Sequence, residues 1–309
     1  MIGTRAASGW EFFSMNIAKQ FDKLALGTVQ FGLPYGVANQ QGQVAASEVQ
    51  ATLDLARTNG IHTLDTAIAY GESERVLGGM SLEDFDIVTK LPSVPDGCKD
   101  VVGWIESELE GSLTRLNVSR VNSLLLHSPD QLSSSIGQTI YKTLLEKKNE
   151  GIVKRIGISV YCPNELSLLI ENFHFDLIQA PFNIIDNRLK EAGLFEKLAL
   201  SGTQLHVRSV FMQGLLLMSA ESRPEKFNRW SSLWTTWEQW LADVNLTPLQ
   251  ACLRYALSIP EIERVVVGVD SSVQLSEILK ASEGDCPIPL PTLNCTDLNL
   301  LNPSLWSQL

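Results

Sequence analysis

Short runs of apolar, β-forming residues alternate with longer stretches of helical periodicity from Lys23 onward. This alternation is typical of βα units around a parallel sheet. Eight such runs are present, which is the number that closes a barrel. A doubly wound open sheet would instead carry G-x-G-x-x-G after its first strand, and LALGTVQFGLPYG lacks that spacing. The sequence therefore predicts an α/β fold, a single-domain (β/α)8 TIM barrel. We expect its strands at residues 23–27, 62–66, 85–90, 121–126, 153–158, 175–180, 204–210 and 264–268.

One domain accounts for nearly all of the 309 residues, because no composition shift or low-complexity stretch marks a linker. With 44% apolar residues there is ample material for a large core. We assign the barrel to residues 23–309. Residues 1–22 have no clear periodicity and are interpreted as an N-terminal tail or a segment across the barrel floor.

The charge balance and the absence of targeting patterns restrict the partners. A net charge of −11 argues against binding to a nucleic-acid backbone, although a pocket can still bind a small anion through backbone N–H groups. No signal-like or membrane-spanning apolar run is present, so we expect no membrane association and a cytoplasmic location. The five scattered cysteines lack C-x-x-C spacing and are interpreted as reduced thiols. The sequence gives no indication of the oligomeric state.

The gaps between the strands are predicted to be helical, and several have recognisable caps. Ser47, with Gln50 three residues later, and Thr247, directly before Pro248 at the first helical position, are candidate N-caps, and Gly60 and Gly151 are candidate C-terminal caps. The helices are predicted at residues 47–59, 72–77, 101–117, 133–149, 163–172, 187–200, 248–258 and 272–281. Outside this rhythm lies a tryptophan stripe, which either packs on the barrel side or forms an aromatic wall facing the substrate. It comprises Trp230, Trp234, Trp237 and Trp240.

Four ionisable residues of different chemical types follow or end buried strands. Asp65 ends IHTLD, Tyr70 follows in TAIAYG, Lys90 ends FDIVTK and His127 follows VNSLLL. In a barrel, the C-terminal ends of all strands meet at one rim, where active sites are built. Each residue alone could be a helix cap, a packing residue, a solvated charge or a turn residue. Four such residues together are better explained as one catalytic set.

This set has the chemistry of a proton donor. A phenol is too weakly acidic at neutral pH, but a neighbouring ammonium stabilises the phenolate and lowers the pKa of the tyrosine. We therefore expect Lys90 to lower the pKa of Tyr70, Asp65 to hold Lys90, and His127 to orient a substrate oxygen. Such a group serves a carbonyl that becomes an alcohol during hydride transfer.

The same residues resemble the aldo-keto reductase superfamily. DTAIAYG matches the pattern D-T-A-x-x-Y-G, and a strand-ending Lys in IVTK and a His in LLLHSPD follow in the same order. The resemblance runs from about Lys23 to Ser282. It implies a catalytic tetrad with Tyr70 as general acid, and it implies NAD(P)H-dependent reduction of an aldehyde, ketone or keto-sugar without a metal.

The resemblance also implies an extended dinucleotide across the barrel mouth. GISVY resembles the family's Gly-x-Ser-Asn segment, with Val160 in place of Asn, and LIQAPFN provides Gln179 and Asn183. VRSVFMQGLL resembles Tyr-Ser-Pro-Leu-x-x-Gly-Leu-Leu, so Arg208 replaces the aromatic residue that stacks on nicotinamide; a guanidinium can also stack. The implied contacts are Gly27, Thr28, Asp65, Ser159, Gln179, Arg208, Ser209, Val210, Phe211, Gln213, Gly214, Gly268, Ser271 and Gln274.

The adenosine end of the cofactor is expected after the eighth strand, in VVVGVDSSVQL. Many NADPH-dependent relatives carry Lys or Arg there, whereas this chain has Asp270. An acidic residue repels a 2′-phosphate or accepts a hydrogen bond from a 2′-hydroxyl. The family's habit favours NADP(H) slightly, and NAD(H) stays open.

The first loop is the expected substrate loop, with Phe31 and Tyr35 as candidate pocket walls or loop-packing residues. It is rich in amide side chains, which suits a hydroxylated small-molecule carbonyl such as a keto-sugar. Two other functions stay open: a non-catalytic cofactor-binding regulatory subunit, and a sugar isomerase or epimerase. The isomerase would need metal ligands at strand ends, yet only one of four histidines, His127, lies at such an end.

Overall fold

The structure is a computed structural model that describes residues 21–37, 39, 42–293 and 295–309. Within these residues, eight parallel strands form a closed barrel in sequential order, with β8 pairing with β1. The predicted (β/α)8 fold is therefore confirmed. The strands are β1 (Leu24–Gly27), β2 (Thr63–Asp65), β3 (Asp86–Leu91), β4 (Val121–Leu126), β5 (Val153–Ser159), β6 (Leu177–Pro181), β7 (Gln204–Arg208) and β8 (Arg264–Gly268). The proposed role of residues 1–22 falls almost entirely outside the described residues.

Helices cover the outside of the barrel, and the core lies between them and the strands. The α-helices are α1 (Val29–Gly32), α2 (Ala46–Thr58), α3 (Ser73–Gly78), α4 (Val101–Leu116), α5 (Gly137–Asn149), α6 (Pro163–Asn172), α7 (Arg188–Glu191), α8 (Leu194–Leu200), α9 (Ser231–Val244), α10 (Pro248–Leu257), α11 (Ser272–Ser282) and α12 (Leu298–Leu301). Short 3₁₀ helices occupy Pro129–Ser133, Leu215–Leu217, Glu225–Trp230 and Pro303–Gln308. No helix of the described chain is both long and apolar enough to cross a membrane.

Two predicted helices are interrupted, for different steric reasons. The helix predicted over 133–149 begins only at Gly137, where a Cβ atom would lie 2.0 Å from the Leu132 carbonyl oxygen. The helix predicted over 187–200 is divided into α7 and α8 by Gly193, whose φ of 68° is outside the helical region. The first break uses glycine for close backbone approach, and the second uses it for a left-handed conformation.

The predicted caps have mixed outcomes. Thr247 is the N-cap of α10, as predicted, and it forms a capping box with Gln250. Ser47 does not cap α2, because the helix already begins at Ala46 and its N-cap is Ala45. Gly60 and Gly151 take positive φ values of 76° and 78° just after α2 and α5, as expected of C-terminal caps.

The tryptophan stripe packs on the protein interior. Trp237 is 1% exposed and stacks on Trp240 with 5.7 Å between ring centroids. The indole N–H of Trp234 donates to the Phe227 carbonyl oxygen, and that of Trp240 donates to the Pro289 carbonyl oxygen. Because all four rings are buried, the packing interpretation describes them better than a wall facing the substrate.

Strand register places the predicted catalytic residues at one rim. Gly27, Asp65 and Val88 are neighbours across β1, β2 and β3, and Lys90 pairs with Leu125 on β4. These positions lie at or near the C-terminal ends of their strands. The barrel therefore brings side chains that are distant in the sequence into one mouth.

Candidate active site

A buried ion pair joins β2 to β3 at the barrel mouth. The Lys90 Nζ lies 2.7 Å from Asp65 Oδ2 and donates a second hydrogen bond to the Thr66 carbonyl oxygen at 2.8 Å. Lys90 is only 1% exposed, and this burial lowers its pKa while the carboxylate of Asp65 opposes the shift. The carboxylate thus balances an ammonium that would otherwise be costly to bury.

Tyr70 is packed between this ion pair and His127. Its ring centroid lies 5.0 Å from Lys90 Nζ, and its ring meets that of His127 edge-on, with 5.7 Å between centroids. Burial, reinforced by the negative charge of Asp65, raises the pKa of Tyr70. This differs from the expected lowering by Lys90, because burial of the phenol and the negative charge of Asp65 both act in the opposite direction. The phenol consequently keeps its proton at neutral pH, as a proton donor must.

His127 is a neutral imidazole at physiological pH. Its backbone N–H donates to the Leu91 carbonyl oxygen at 2.9 Å, which fixes its position at the end of β4. Burial and the positive charges of Lys90 and Arg208 lower the pKa of His127 to about 4. A neutral ring can donate from one nitrogen to a substrate oxygen without carrying charge.

A hydroxyl network that sequence reasoning missed holds the Tyr70 loop. Thr28 Oγ1 donates to the Asp65 carbonyl oxygen at 3.0 Å and lies 2.9 Å from Ser73 Oγ. Thr66 Oγ1 lies 3.1 Å from the same Ser73 hydroxyl. All three residues are fully buried, so their bonds fasten the loop between β2 and α3 to β1. Thr28, expected to contact the cofactor, is therefore a structural residue through its side chain.

Glu74 provides a second buried support that was not predicted. Its carboxylate accepts hydrogen bonds from Thr89, Ser112 and Arg115, at 2.6–2.8 Å. It is 1% exposed and belongs to α3, directly after the Tyr70 loop. A glutamate in a short helix gives no sequence signal of burial, because its three partners lie on other elements.

Phe31 and Tyr35, the two residues of the first loop that were expected to line the substrate pocket, differ in their exposure. Phe31 is fully buried in the core, so it does not line a substrate pocket and that prediction is corrected. Its burial follows from α1, which packs so closely on the Tyr70 loop that a Cβ atom on Gly32 would lie 1.9 Å from the Tyr70 carbonyl oxygen. Tyr35 is 41% exposed, and its hydroxyl accepts a hydrogen bond from Gln213 at 3.1 Å.

Gln179 is positioned by Asp65. Its Nε2 donates to Asp65 Oδ1 at 2.6 Å, while its buried Oε1 has no hydrogen-bond partner among the described residues. Ser159 is its neighbour across β5 and β6 and is also buried. An unpaired buried amide oxygen is the acceptor that a carboxamide N–H₂ group needs, so these residues fit the expected nicotinamide.

Arg208 packs on Tyr161, a contact that the sequence did not indicate. Its guanidinium lies 4.2 Å from the ring centroid of Tyr161, and its Nη2 donates to the Val160 carbonyl oxygen at 3.2 Å. The guanidinium that was expected to stack on nicotinamide therefore also packs on Tyr161. The following loop contains positive φ values at Ser209 (60°), Gln213 (54°) and Gly214 (90°). Positive φ at Ser209 also ends β7 two residues earlier than predicted.

Other residues of this loop were expected to follow the dinucleotide. Asn183 Nδ2 donates to the Ser209 carbonyl oxygen at 3.1 Å and holds the turn. The side chain of Val210 is buried, so it is unsuited to contact a ligand. Phe211 packs against the core and is partly exposed.

The segment after β8 is organised by internal hydrogen bonds. Ser271 Oγ caps α11 by accepting from the Gln274 backbone N–H, and Gln274 Oε1 accepts from the Asp270 N–H at 2.8 Å. A Cβ atom on Gly268 would lie 2.5 Å from Gln30 Nε2, so this glycine makes room for a side chain of the first loop. At Gly27 a Cβ atom would lie 3.2 Å from a Val266 methyl group. Ser272 donates from both its backbone N–H and its hydroxyl to Glu48 Oε1.

A second buried histidine lies inside the barrel wall and predicts acid sensitivity. Burial and the charges of Arg264 and Arg155 lower the pKa of His206 to about 3. Unfolding restores an ordinary pKa near 6.5, so the unfolded chain binds more protons below that pH. We expect stability to be full above about pH 6.5 and to fall towards pH 3, by about 1.4 kcal/mol per pH unit for each such histidine.

Urea unfolding of the wild type and of His206→Gln at several pH values checks this expectation. The variant is expected to lose stability less steeply between pH 6 and pH 4, with parallel curves above pH 7. Equal slopes over the acidic range would contradict the assignment of a buried neutral imidazole.

No group of three or more His, Cys, Asp or Glu side chains is placed to hold a metal ion in the part of the chain that the structure describes. The four cysteines other than Cys252 are partly exposed, and burial raises the pKa of Cys252.

Known proteins resemble this chain in sequence and in fold. It is 27% identical to D-threo-aldose 1-dehydrogenase of a Pseudomonas species, over 82% of this chain and 89% of that protein. It is 28% identical to the oxidoreductase sirO of Leptosphaeria maculans, over 68% of this chain and 65% of that protein. The fold is similar to that of the aldo-keto reductase AKR11C1 of Bacillus halodurans, with a TM-score of 0.69, 20% identity and coverage of 89% and 94% of the two chains.

A family model extends this likeness to most of the barrel. The Aldo/keto reductase family model matches residues 23–287, which include β1 to β8 and the rim residues. The matched segment begins at the residue where the sequence pattern of βα units begins. On this evidence the chain belongs to the aldo/keto reductase family and is an oxidoreductase.

Proposed function

We propose that the chain reduces the carbonyl group of a small molecule with a nicotinamide dinucleotide, and that Tyr70 delivers the proton. The observation that carries this proposal is the neutral phenol of Tyr70 between the Lys90–Asp65 ion pair and His127. A reduced nicotinamide, when bound, supplies a hydride to the carbonyl carbon. Tyr70 then gives its proton to the oxygen, and the positive charge of Lys90 stabilises the phenolate that is left.

His127 and Gln179 have separate positioning roles in this proposal. The neutral His127 ring donates a hydrogen bond to the carbonyl oxygen from beside Tyr70. Gln179 Oε1 accepts a hydrogen bond from the carboxamide of the nicotinamide, supported by its buried, unpaired state. Asp65 links the two halves of the site, because it binds both Lys90 and Gln179.

A turnover screen tests the function as a whole. The purified protein is incubated with NADH or NADPH and a panel of aldehydes, ketones and keto-sugars, and both dinucleotide oxidation and the alcohol product are measured. We expect turnover of at least one carbonyl class. Tight dinucleotide binding without turnover of any class would favour the regulatory-subunit alternative instead.

The region after β8 supports a preference for NADH, which reverses the slight sequence-based preference for NADP(H). The Glu48 carboxylate occupies the N-terminus of α11, where it accepts from the backbone N–H and hydroxyl of Ser272. These donors lower the pKa of Glu48, so it is ionised at neutral pH. Asp270 lies two residues earlier and accepts from Asn39 Nδ2 at 3.1 Å. In TIM barrels the loops after the last strands bind phosphate, and two carboxylates there disfavour an additional 2′-phosphate.

Fluorescence-quenching titrations of the free protein check this preference without turnover. We expect NADH to bind about tenfold more tightly than NADPH, since each of the two nearby carboxylates costs the 2′-phosphate about 1 kcal/mol and tenfold corresponds to about 1.4 kcal/mol. Glu48→Gln keeps an acceptor for Ser272 but removes the charge, so it is expected to improve NADPH binding severalfold and to leave NADH binding unchanged.

Glu277→Gln is the matched control, because Glu277 is exposed further along the same helix. It is expected to leave both affinities near those of the wild type. Tighter binding of NADPH than of NADH by the wild type would overturn the NADH assignment.

The proposed substrate is a hydroxylated carbonyl compound of the keto-sugar type. Some amide side chains of the first loop are already used within the protein, so they give only weak support for a hydroxylated substrate. Gln43 donates to the Phe31 carbonyl oxygen, and Asn39 donates to the Gly42 carbonyl oxygen and to Asp270. Gln40 and Gln41 lie outside the described residues. The likeness to D-threo-aldose 1-dehydrogenase provides independent support for a sugar-like substrate. Turnover of hydrophobic aldehydes with none of keto-sugars would contradict this class.

A further inference from the structure

Among the described residues, Arg208 is a positive charge at the barrel mouth that forms no ion pair with a carboxylate. Lys90 is paired with Asp65, and the side chain of His127 is neutral. Arg208, at the end of β7, makes no ion pair with any carboxylate in the described ranges. Its guanidinium is held instead by uncharged groups: the Tyr161 ring, the Val160 carbonyl oxygen and Ser209 Oγ.

Several other arginines of the described chain have carboxylate partners, such as Arg188 with Asp186 at 2.7 Å and Arg223 with Glu238 at 2.9 Å. Arg155 and Arg254 form no such ion pair among the described residues either, but Arg155 lies near the start of β5 and Arg254 lies on α10, away from the C-terminal rim of the barrel. A partly buried guanidinium loses hydration, which a carboxylate partner normally offsets. Where the protein provides no such partner, an anionic ligand can fill that role.

The position of Arg208 connects this charge to the reacting group. The positive charge of Arg208 acts on Tyr70, His127 and Lys90; it adds to the lowering of the pKa of His127 and Lys90 and opposes, without overcoming, the raising of the pKa of Tyr70 by burial and Asp65. Tyr35, on the opposite loop, is also influenced by Arg208, Tyr70 and Tyr161. Strand register places Arg208 at the same rim as these residues: it pairs with Pro181, two residues after Gln179 on β6, and Gln179 binds Asp65.

The backbone holds Arg208 in a defined direction. Ser209 follows it with a φ of 60°, an uncommon conformation for a non-glycine residue. Asn183 secures that turn by donating to the Ser209 carbonyl oxygen, and Asn183 itself is 2% exposed. A preorganised guanidinium loses little freedom on binding, so it is suited to a planar or tetrahedral anion.

We propose that Arg208, supported by Tyr161, binds an anionic group of the substrate, so that the chain prefers carbonyl compounds bearing a carboxylate or a phosphate. This inference rests on the proposed reduction and makes its substrate class narrower. The anion lies on Arg208 while the carbonyl oxygen lies between Tyr70 and His127. The negative charge of the ligand then balances the guanidinium of Arg208, as the carboxylate of Asp65 balances the ammonium of Lys90.

Paired substrates test this proposal. Steady-state rates are measured with succinic semialdehyde and its neutral methyl ester, and with glyceraldehyde phosphate and glyceraldehyde. For the wild type we expect kcat/KM to be higher for the charged member of at least one pair. In Arg208→Gln that preference, the ratio of kcat/KM for the charged member to kcat/KM for the neutral member, is expected to fall about tenfold to a hundredfold, as for loss of a charge-assisted hydrogen bond. The ratio cancels any loss that both members share through the cofactor. The pair that responds identifies the anion as carboxylate or phosphate.

Two further measurements separate this proposal from others. Arg120→Gln removes an exposed arginine directly before β4, at the opposite end of the barrel, and is expected to keep the wild-type preference. The dinucleotide affinity of Arg208→Gln, measured by fluorescence quenching, shows separately how much Arg208 contributes to the expected contact with nicotinamide. A loss of dinucleotide affinity without a change in substrate preference would overturn the proposal and assign Arg208 to the cofactor.

A binding measurement tests the anion site even if the protein does not catalyse the proposed reduction. Succinate and inorganic phosphate are titrated calorimetrically into the protein saturated with dinucleotide. We expect at least one anion to bind the wild type and to bind Arg208→Gln at least tenfold more weakly. Equal binding to both proteins, or no binding to the wild type, would contradict the proposal even if carbonyl reduction is confirmed.

Discussion

Replacing Tyr70 by phenylalanine is expected to lower kcat/KM for carbonyl reduction by a factor of about 10²–10⁴, the usual contribution of a positioned general acid. The substitution removes one oxygen atom and keeps the aromatic ring. The edge contact with His127 and the contact with Lys90 Nζ are therefore retained. Stability and dinucleotide affinity should stay close to those of the wild type, so that the loss reports on proton transfer.

The pH profile provides a second readout of the same group. Burial and Asp65 raise the pKa of Tyr70, so the proton-donating form is fully populated at neutral pH and persists into the alkaline range. Reduction by the wild type is therefore expected to show no loss from Tyr70 ionisation between pH 6 and pH 9. An alkaline loss of activity within that range, absent from Tyr70→Phe, would show that the phenol ionises more readily than the structure indicates.

Tyr141→Phe is the matched control for this substitution. Tyr141 lies in α5 on the outside of the barrel, where its hydroxyl donates to the His174 carbonyl oxygen at 2.8 Å. Loss of that hydroxyl is expected to affect stability slightly and to leave kcat/KM unchanged. If Tyr70→Phe were as active as Tyr141→Phe, the proposed proton donor would be wrong.

The features predictable from the sequence are those encoded by local pattern. The eight-strand barrel follows from the alternation of βα units, and the rim follows from strand ends at Asp65 and Lys90. Thr247 lies directly before Pro248, so the N-cap of α10 could also be predicted from local sequence. Gly193 was a local signal as well, since a glycine within a predicted helix favours a break.

What the sequence does not reveal depends on contacts between distant segments. Gln179 and Asp65 are 114 residues apart, and Ser272 and Glu48 are 224 residues apart. No periodicity or spacing connects such pairs, because their meeting depends on the closed barrel. The same limit explains the burial of Phe31, which depends on how tightly α1 packs on the Tyr70 loop.

The electrostatic state of the site was also beyond the sequence. The types of Lys90 and Tyr70 suggested a lowered pKa for the phenol, but that expectation ignored desolvation and the charge of Asp65. The structure alters the mechanism accordingly. The ammonium of Lys90 matters most after the proton has left Tyr70, when it can stabilise the phenolate, and least while the phenol is neutral.

Lys90→Met is expected to have two large effects, one on activity and one on stability. Removing the ammonium leaves the buried carboxylate of Asp65 with Gln179 as its remaining side-chain hydrogen-bond donor. Breaking a buried ion pair in this way costs about 3–5 kcal/mol of unfolding free energy, measured by urea unfolding. Carbonyl reduction is expected to fall by at least a hundredfold, because the phenolate loses its stabilising charge.

The double variant Lys90→Met with Asp65→Asn distinguishes these two effects. An asparagine at position 65 carries no charge, and its amide oxygen can still accept from Gln179 Nε2. Most of the lost stability is therefore expected to return, whereas activity is expected to stay low because the ammonium is still missing. Lys147→Met provides the control, since its carboxylate partners, Glu106 and Glu150, are about half exposed at 48% and 46% and stay hydrated without it. Recovery of activity together with stability in the double variant would mean that Lys90 serves the fold alone and has no part in proton transfer.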